Sequence, residues 1–140
     1  MHWRPAAKKL IEDLLKDEVI KEVDDVTEYC SRARFLPKDN NVDLRLITDF
    51  RGINGMLLCP VYSFESTKTI IENIPAENIY FAALDMVQGY FQVPLDEETS
   101  NLTVFITPLG KYKYLRAPME LAPSSDWFNR LTSALVTDIE

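Results

Sequence analysis

The stretch Phe81-Ala82-Ala83-Leu84-Asp85-Met86-Val87-Gln88-Gly89-Tyr90-Phe91-Gln92-Val93-Pro94-Leu95 decides how this chain is read. The apolar run from Ile79 to Leu84 predicts a buried strand that delivers one carboxylate, Asp85, at its C-terminal end. Gly89 lets the backbone turn tightly, the aromatic pair Tyr90-Phe91 follows, and Val93 to Leu95 forms a second extended piece. A carboxylate at a strand end, beside exposed backbone amides, suits a divalent cation held against a phosphate. The plainer alternative is an acid bonded to its own turn. The rest of the chain has to choose between them.

Size and composition set the bounds. With 140 residues and 46% hydrophobic content, the chain has material for one compact unit with its own core. Every apolar run is too short to span a bilayer, and the Met1-His2-Trp3-Arg4-Pro5 start lacks a signal-peptide pattern. An intracellular location, in cytoplasm or nucleus, and no membrane partner are therefore expected. Cys30 and Cys59 have neither metal-ligand spacing nor Cys/His neighbours, and are expected as reduced, partly buried thiols. His2, the sole histidine, sits at a chain end, which argues against histidine-based catalysis. The net charge of −7 argues against an overall basic footprint for nucleic acid. That charge is uneven: Glu12 to Glu28 holds eight acids and two lysines, whereas Arg32 to Arg51 holds five basic residues and three acids.

Working outward, Pro5 opens a helix in which Leu10, Ile11, Leu14, Leu15 and Val19 recur at helical spacing, a scaffold element. Ile20 to Thr27 reads as an acidic loop, with Asp24-Asp25 solvated rather than metal-binding. Tyr29 to Leu36 and Leu44 to Thr48 are extended, and Lys38-Asp39-Asn40-Asn41 between them has turn chemistry. They predict a hairpin carrying Lys38 and Arg45, a point charge and a fork able to clamp a polyphosphate. Asp49 to Asn54 reads as a short helical turn, and Ser63 to Ile71 as a helix capped by Ser63 or Ser66 and ended by Pro75. Leu102 to Thr107 and Tyr112 to Leu115 flank Pro108-Leu109-Gly110 as a second hairpin. Ala117-Pro118-Met119 makes a turn, and Ser124 or Ser125 caps a closing helix from about Asp126 to Val136, with Trp127, Leu131 and Leu135 on one face. Without βαβ alternation, this order predicts an α+β fold of antiparallel strands with packed helices, one domain over residues 1–140.

Four blocks in this order carry a resemblance: Lys9 to Ile20, Leu44 to Asn54, Leu84 to Glu98, and Lys113 to Met119. The most specific parts are Arg45-x-x-x-Asp49-Phe50-Arg51-x-x-Asn54 and Leu84-Asp85-x-x-x-Gly89-Tyr90-Phe91-Gln92. From Pro5 to about Leu135, the chain resembles the fingers and front palm of a reverse transcriptase (an RNA-directed DNA polymerase) of the gypsy-type LTR retrotransposon and retroviral kind. The resemblance implies a partial polymerase right hand, residues 1–78 mostly fingers and 79–140 mostly palm. It implies Mg2+ as cofactor, and as partners an RNA or DNA template with primer, deoxynucleoside triphosphates and the rest of a polyprotein (remaining palm, thumb, RNase H). By resemblance, Asp85 is the first catalytic aspartate and a magnesium ligand, joined by the Met86 carbonyl. Gln88 and Gly89 give amides to the triphosphate, Tyr90 lies under the sugar and excludes a 2′-hydroxyl, and Lys38 and Arg45 close on the phosphates. Arg51 and Asn54 lie near the template, and Met119 near the incoming nucleotide. Phosphoryl transfer to a primer 3′-hydroxyl asks mainly for positioning and charge neutralisation, typically by two cations roughly 3.5–4 Å apart.

Two departures qualify the resemblance. The family's aromatic-x-Asp-Asp element is not found before Glu140. Asp85 alone cannot hold two magnesium ions, so this polypeptide is expected not to polymerise as it stands. Glu120 occupies a position where relatives have glycine, and a carboxylate there repels phosphate. These departures support a competing reading, a non-catalytic, degenerate polymerase-fold interaction domain. A general magnesium phosphohydrolase ranks last, lacking a second acidic cluster.

Overall fold

Pro5 lies in the first turn of helix α1 (Arg4–Lys16), which buries Ala7, Ile11 and Leu14 as the helical spacing requires. The computed structural model describes residues 3–38, 43–58, 66–77, 80, 83 and 85–137. Of the predicted strand Ile79 to Leu84 only Tyr80 and Ala83 are described, neither of them in a strand, and the hairpin tip Asp39 to Asn41, Ser63 as a cap, His2 and Cys59 lie outside the described residues. Helix α1 ends in a paired-carbonyl reversal: Val19 N–H donates to Leu14 C=O (2.9 Å) and Glu18 N–H to Leu15 C=O (3.1 Å). Glu18 holds the left-handed position of that motif, at φ 53°.

The reversal feeds β1 (Ile20–Glu22), which pairs antiparallel with β5 (Gly110–Tyr114) at Ile20↔Tyr114. This corrects the loop expected over Ile20 to Thr27. Val19 and Ile20 carry their side chains into the core, and this burial outweighs the acidic composition of the residues after them. Among the described residues the remaining strands are β2 (Ser31–Pro37), β3 (Leu44–Thr48) and β4 (Phe105–Thr107). Together they form a five-stranded sheet in the order β1-β5-β4-β2-β3. The β2–β3 hairpin and the β4–β5 hairpin are antiparallel, as expected. Unexpectedly, β2 pairs parallel with β4, at Ser31↔Phe105 and Arg32↔Ile106. A parallel pair needs a long crossover, and the chain between β3 and β4 supplies it.

Helix α2 (Arg51–Asn54) forms where expected. Helix α3 (Thr67–Glu72) is capped by Ser66, whose Oγ accepts from Thr69 N–H (3.1 Å), and it buries none of its residues. Helix α4 (Glu97–Leu102) was not anticipated and replaces the start of the extended piece read from Leu102. Its signal was present in Asp96, which caps Thr99 N–H at 2.7 Å, with Glu97 and Glu98 in the first turn. Buried hydroxyls dock α4 onto β5: Ser100 Oγ donates to Tyr114 C=O, while Thr103 Oγ1 accepts from Tyr114 N–H (3.0 Å). The extended piece Val93 to Leu95 is reduced to one bridge, Pro94↔Arg116. Helix α5 (Ser124–Thr137) starts slightly earlier than expected.

The core centres on Tyr114. Its ring lies 4.9 Å from Phe105, 6.0 Å from Phe50 and 6.4 Å from Phe91, centroid to centroid. Its hydroxyl hydrogen-bonds the buried Thr48 Oγ1 at 3.2 Å. Cys30, expected to be partly buried, is exposed and free. No described helix is long and apolar enough to cross a membrane.

Candidate functional site

The strand alternation of β2 and β3 sorts their side chains. Ala33, Phe35 and Leu46 pack against the core, while Arg32, Arg34, Leu36 and Arg45 are exposed on the other face. Leu36 pairs with Arg45 and Arg34 with Ile47, so these cations share that face. Lys38 follows β2, and its N–H donates to Asp43 C=O at 2.8 Å, continuing the ladder. Lys38 and Arg45 are thereby presented from the same end of the hairpin.

A second wall comes from the turn after Asp85. Gln88 adopts a left-handed conformation (φ 52°), and a short 3₁₀ turn follows over Gly89–Gln92. The tight reversal is therefore made by Gln88, not by Gly89 as the sequence suggested. Glycine at 89 answers a different need: a Cβ there would stand 2.8 Å from the Phe128 ring on α5. That ring lies 5.2 Å from Tyr90, centroid to centroid, and so backs it.

The third wall is the Met119-Glu120 turn. Asn54 clamps it from α2, donating through Nδ2 to Glu120 C=O (3.0 Å) and accepting at Oδ1 from Ala122 N–H (2.9 Å). Asn54, expected near a template, thus has its amide engaged by its own chain. Arg51 is likewise paired, forking onto Asp49 through Nε (2.8 Å) and Nη2 (2.6 Å). These bonds hold the Asp49 carboxyl down at about 2.

The walls enclose one cleft of about 410 Å³. Lys38, Arg45, Gln88, Gly89, Tyr90 and Met119 all line it. The sequence did not reveal its apolar floor, Leu10 and Leu14 of α1 with Leu46 and Tyr114, whereas Glu120, read there as a carboxylate set against phosphate, does line it. The helical apolar stripe that marked α1 as scaffold also marked Leu10 and Leu14, but nothing local assigned them to a site. Arg51 and Asn54 line a neighbouring cleft of about 480 Å³ with Arg34, and Glu120 lines that one too. Burial raises the Glu120 carboxyl above its usual value.

Asp85 is exposed and is not among the cleft-lining residues. Met86 beside it is half-buried. Among the described residues, no three His, Cys, Asp or Glu side chains are grouped to hold a metal ion. One carboxylate with one backbone carbonyl is too small a donor set for two magnesium ions, each of which takes about six oxygens. These residues alone do not fit the pair.

No family model matches the chain. Among curated proteins it is 28% identical to the retrovirus-related Pol polyprotein from transposon 412 of Drosophila melanogaster over 135 residues, 93% of this chain and 11% of that polyprotein. Among solved structures, prototype foamy virus protease-reverse transcriptase superposes with a TM-score of 0.83 at 23% identity, covering 98% of this chain and 18% of that one. The foamy viral protease-reverse transcriptase in complex with double-stranded DNA gives 0.82 at 20% identity, covering 97% and 23% respectively. The chain thus spans about a tenth of the length of the curated relatives it matches (11% for transposon 412) and shares its fold with part of the viral enzyme. By sequence it is similar to a region of retrovirus-related Pol polyproteins, and by backbone it shares the fold of part of a protease-reverse transcriptase.

Proposed function

We propose that this chain is the fingers and front palm of an RNA-directed DNA polymerase, and that its cleft receives the incoming deoxynucleoside triphosphate. One observation carries this reading. The six residues that the resemblance assigns to the nucleotide come from separate segments of chain, yet they line a single cleft. In it, Lys38 and Arg45 meet the phosphates with charge-assisted hydrogen bonds, and the Gln88-Gly89 amides add neutral ones. Tyr90, backed by Phe128, supports the sugar and excludes a 2′-hydroxyl by bulk. The template with its primer lies toward Arg34 and Arg51. The complexes of the foamy viral enzyme with double-stranded DNA and with an RNA/DNA hybrid support that partner. Asp85 is one magnesium ligand and needs further carboxylates beside it, so the chain by itself is expected not to extend a primer.

Calorimetric titration of the chain with dTTP tests this reading. Lys38→Ala and Arg45→Ala should each weaken binding about tenfold, the value of one charge-assisted bond. Arg130→Ala, in a different cleft, should leave binding unchanged. Equal affinity across all four chains would reject the assignment. Glu120 in the cleft wall favours one second reading, a non-catalytic interaction domain that keeps the fold. Tight, salt-sensitive binding of primer–template to the chain would count against it.

A further inference from the structure

Resting on that reading of the cleft, we propose that Glu120 is its ligand-selecting residue: ionised, its carboxylate turns away polyphosphate ligands, and neutral, it admits them. Glu120 lines both the cleft holding Lys38 and Arg45 and the neighbouring one holding Arg34 and Arg51. In the first it is the sole carboxylate among the described lining residues. In the second the other acid, Asp49, is already bound by Arg51 at 2.6 and 2.8 Å. No described cation reaches ion-pair distance of Glu120. Among the described residues its charge is therefore uncompensated by a direct partner, and Glu120 lines the space where the phosphates of a ligand on Lys38 and Arg45 would lie.

The backbone offers no escape. Asn54 bonds Glu120 C=O at 3.0 Å and Ala122 N–H at 2.9 Å, pinning the turn on both sides of Leu121. The titratable and charged groups facing Glu120 are Lys38 and Arg34 from β2 and its end, Arg45 from β3, and the Asp49–Arg51 pair. Tyr90 joins them from the 3₁₀ turn and Tyr114 from β5, while α1 contributes only Leu10 and Leu14. Half-burial raises the carboxyl above its usual value, which brings its titration closer to neutral pH. A like charge several ångströms from each ligand phosphate, in a partly screened cleft, is worth roughly three- to tenfold in affinity.

The test titrates inorganic tripolyphosphate into the wild-type chain, Glu120→Gln and Glu120→Ala by calorimetry between pH 4.5 and 8. At pH 8 both variants should bind roughly three- to tenfold tighter than wild type. The advantage should shrink toward pH 4.5 as the wild-type carboxyl takes up its proton. Protonation lowers the ligand's charge alike for all three chains, and a ratio that merely tracked the ligand's own titration would overturn the proposal. Equal affinities at pH 8, or a ratio that stays constant with pH, would overturn the proposal. So would a gain in Glu120→Gln that Glu120→Ala does not share, since that would indicate an added amide contact. Repeating the titration in Lys38→Ala/Arg45→Ala separates the two readings. Binding that ignores the missing cations rejects the cleft itself, whereas binding that depends on them with an unchanged Glu120 ratio rejects the selector alone. No binding by any chain rejects both.

Discussion

At the scale of single residues, Tyr114 joins the rings of Phe50, Phe91 and Phe105 in the core, and its hydroxyl is the most exacting of its contacts. Burial pushes that hydroxyl well above its ordinary value of 10.0, and its partner is Thr48 Oγ1 at 3.2 Å. Thr48→Val should leave the phenol buried without a partner and lower stability by about 1–3 kcal/mol. Tyr114→Phe should cost about 0.5–1.5 kcal/mol, and the double variant should lie close to Tyr114→Phe alone. Urea denaturation of the four chains measures this coupling; strict additivity would show that the bond contributes nothing. The sign for pH follows from the raised value. Between 10.0 and the folded-state value the native chain keeps a proton that the unfolded chain has lost, so stability present below pH 10 falls as pH rises. Glu120 has the same direction at the acid end: its contribution is fully present below its ordinary value of 4.5 and is lost as pH rises through the raised one. Glu120→Gln should therefore be more stable than wild type at pH 7 and equal to it near pH 4. Asp49 runs the other way, stabilising above 3.8 and losing that contribution as pH falls through about 2. The extended piece read over Tyr112 to Leu115 contains Tyr114, but nothing local marked that residue as a centre of the core. Gln88 and Glu18 were not legible, because nothing in a glutamine or glutamate announces a positive φ.

At the scale of elements, turn chemistry and hydrophobic periodicity located both hairpins, α1, α2 and α5, since each carries its signal within a few residues. What escaped was decided by partners far along the chain. β1 is only Ile20–Glu22 and becomes a strand because β5 lies beside it. Helix α4 escaped for another reason: its cap was readable at Asp96, but the apolar run after it drew attention to the strand. Two elements yield direct tests. Gly110 stands at φ +151°, and a Cβ there would meet the Tyr112 hydroxyl at 2.8 Å. Gly110→Ala should therefore destabilise by about 1–3 kcal/mol, read as a shift in the denaturation midpoint without a change in slope. At the end of α1, Glu18 bears the left-handed conformation that glycine takes without strain. Glu18→Gly should raise stability by about 0.5 kcal/mol, the relief of strain exceeding the added freedom of the unfolded chain. A loss would mean that the Glu18 side chain contributes a contact of its own.

At the scale of the whole molecule, local patterns could give the α+β class but not the parallel β2–β4 pair, whose two strands are separated by nearly half of the chain. The cleft is a similar case. Lys38, Tyr90 and Met119 are brought together by tertiary structure, so their grouping was reachable only through the resemblance. The outer surface shows the converse, a pattern that the sequence displays and the fold leaves largely uncovered. Trp127, Leu131 and Leu135 share one face of α5, but only Trp127 packs against the core. Leu131 is 36% exposed, Leu135 57% and, on α3, Ile71 62%. Apolar side chains held out in this way contribute little to folding, because burial is what stabilises them. They do offer a surface on which dissolved chains can associate. Replacing Leu131 with Lys and Leu135 with Glu should change unfolding stability by less than about 0.5 kcal/mol, the usual range for exposed positions. The same pair should reduce concentration-dependent association in sedimentation velocity. A loss of more than about 1 kcal/mol would place these leucines in the core and contradict the exposure of this helix face.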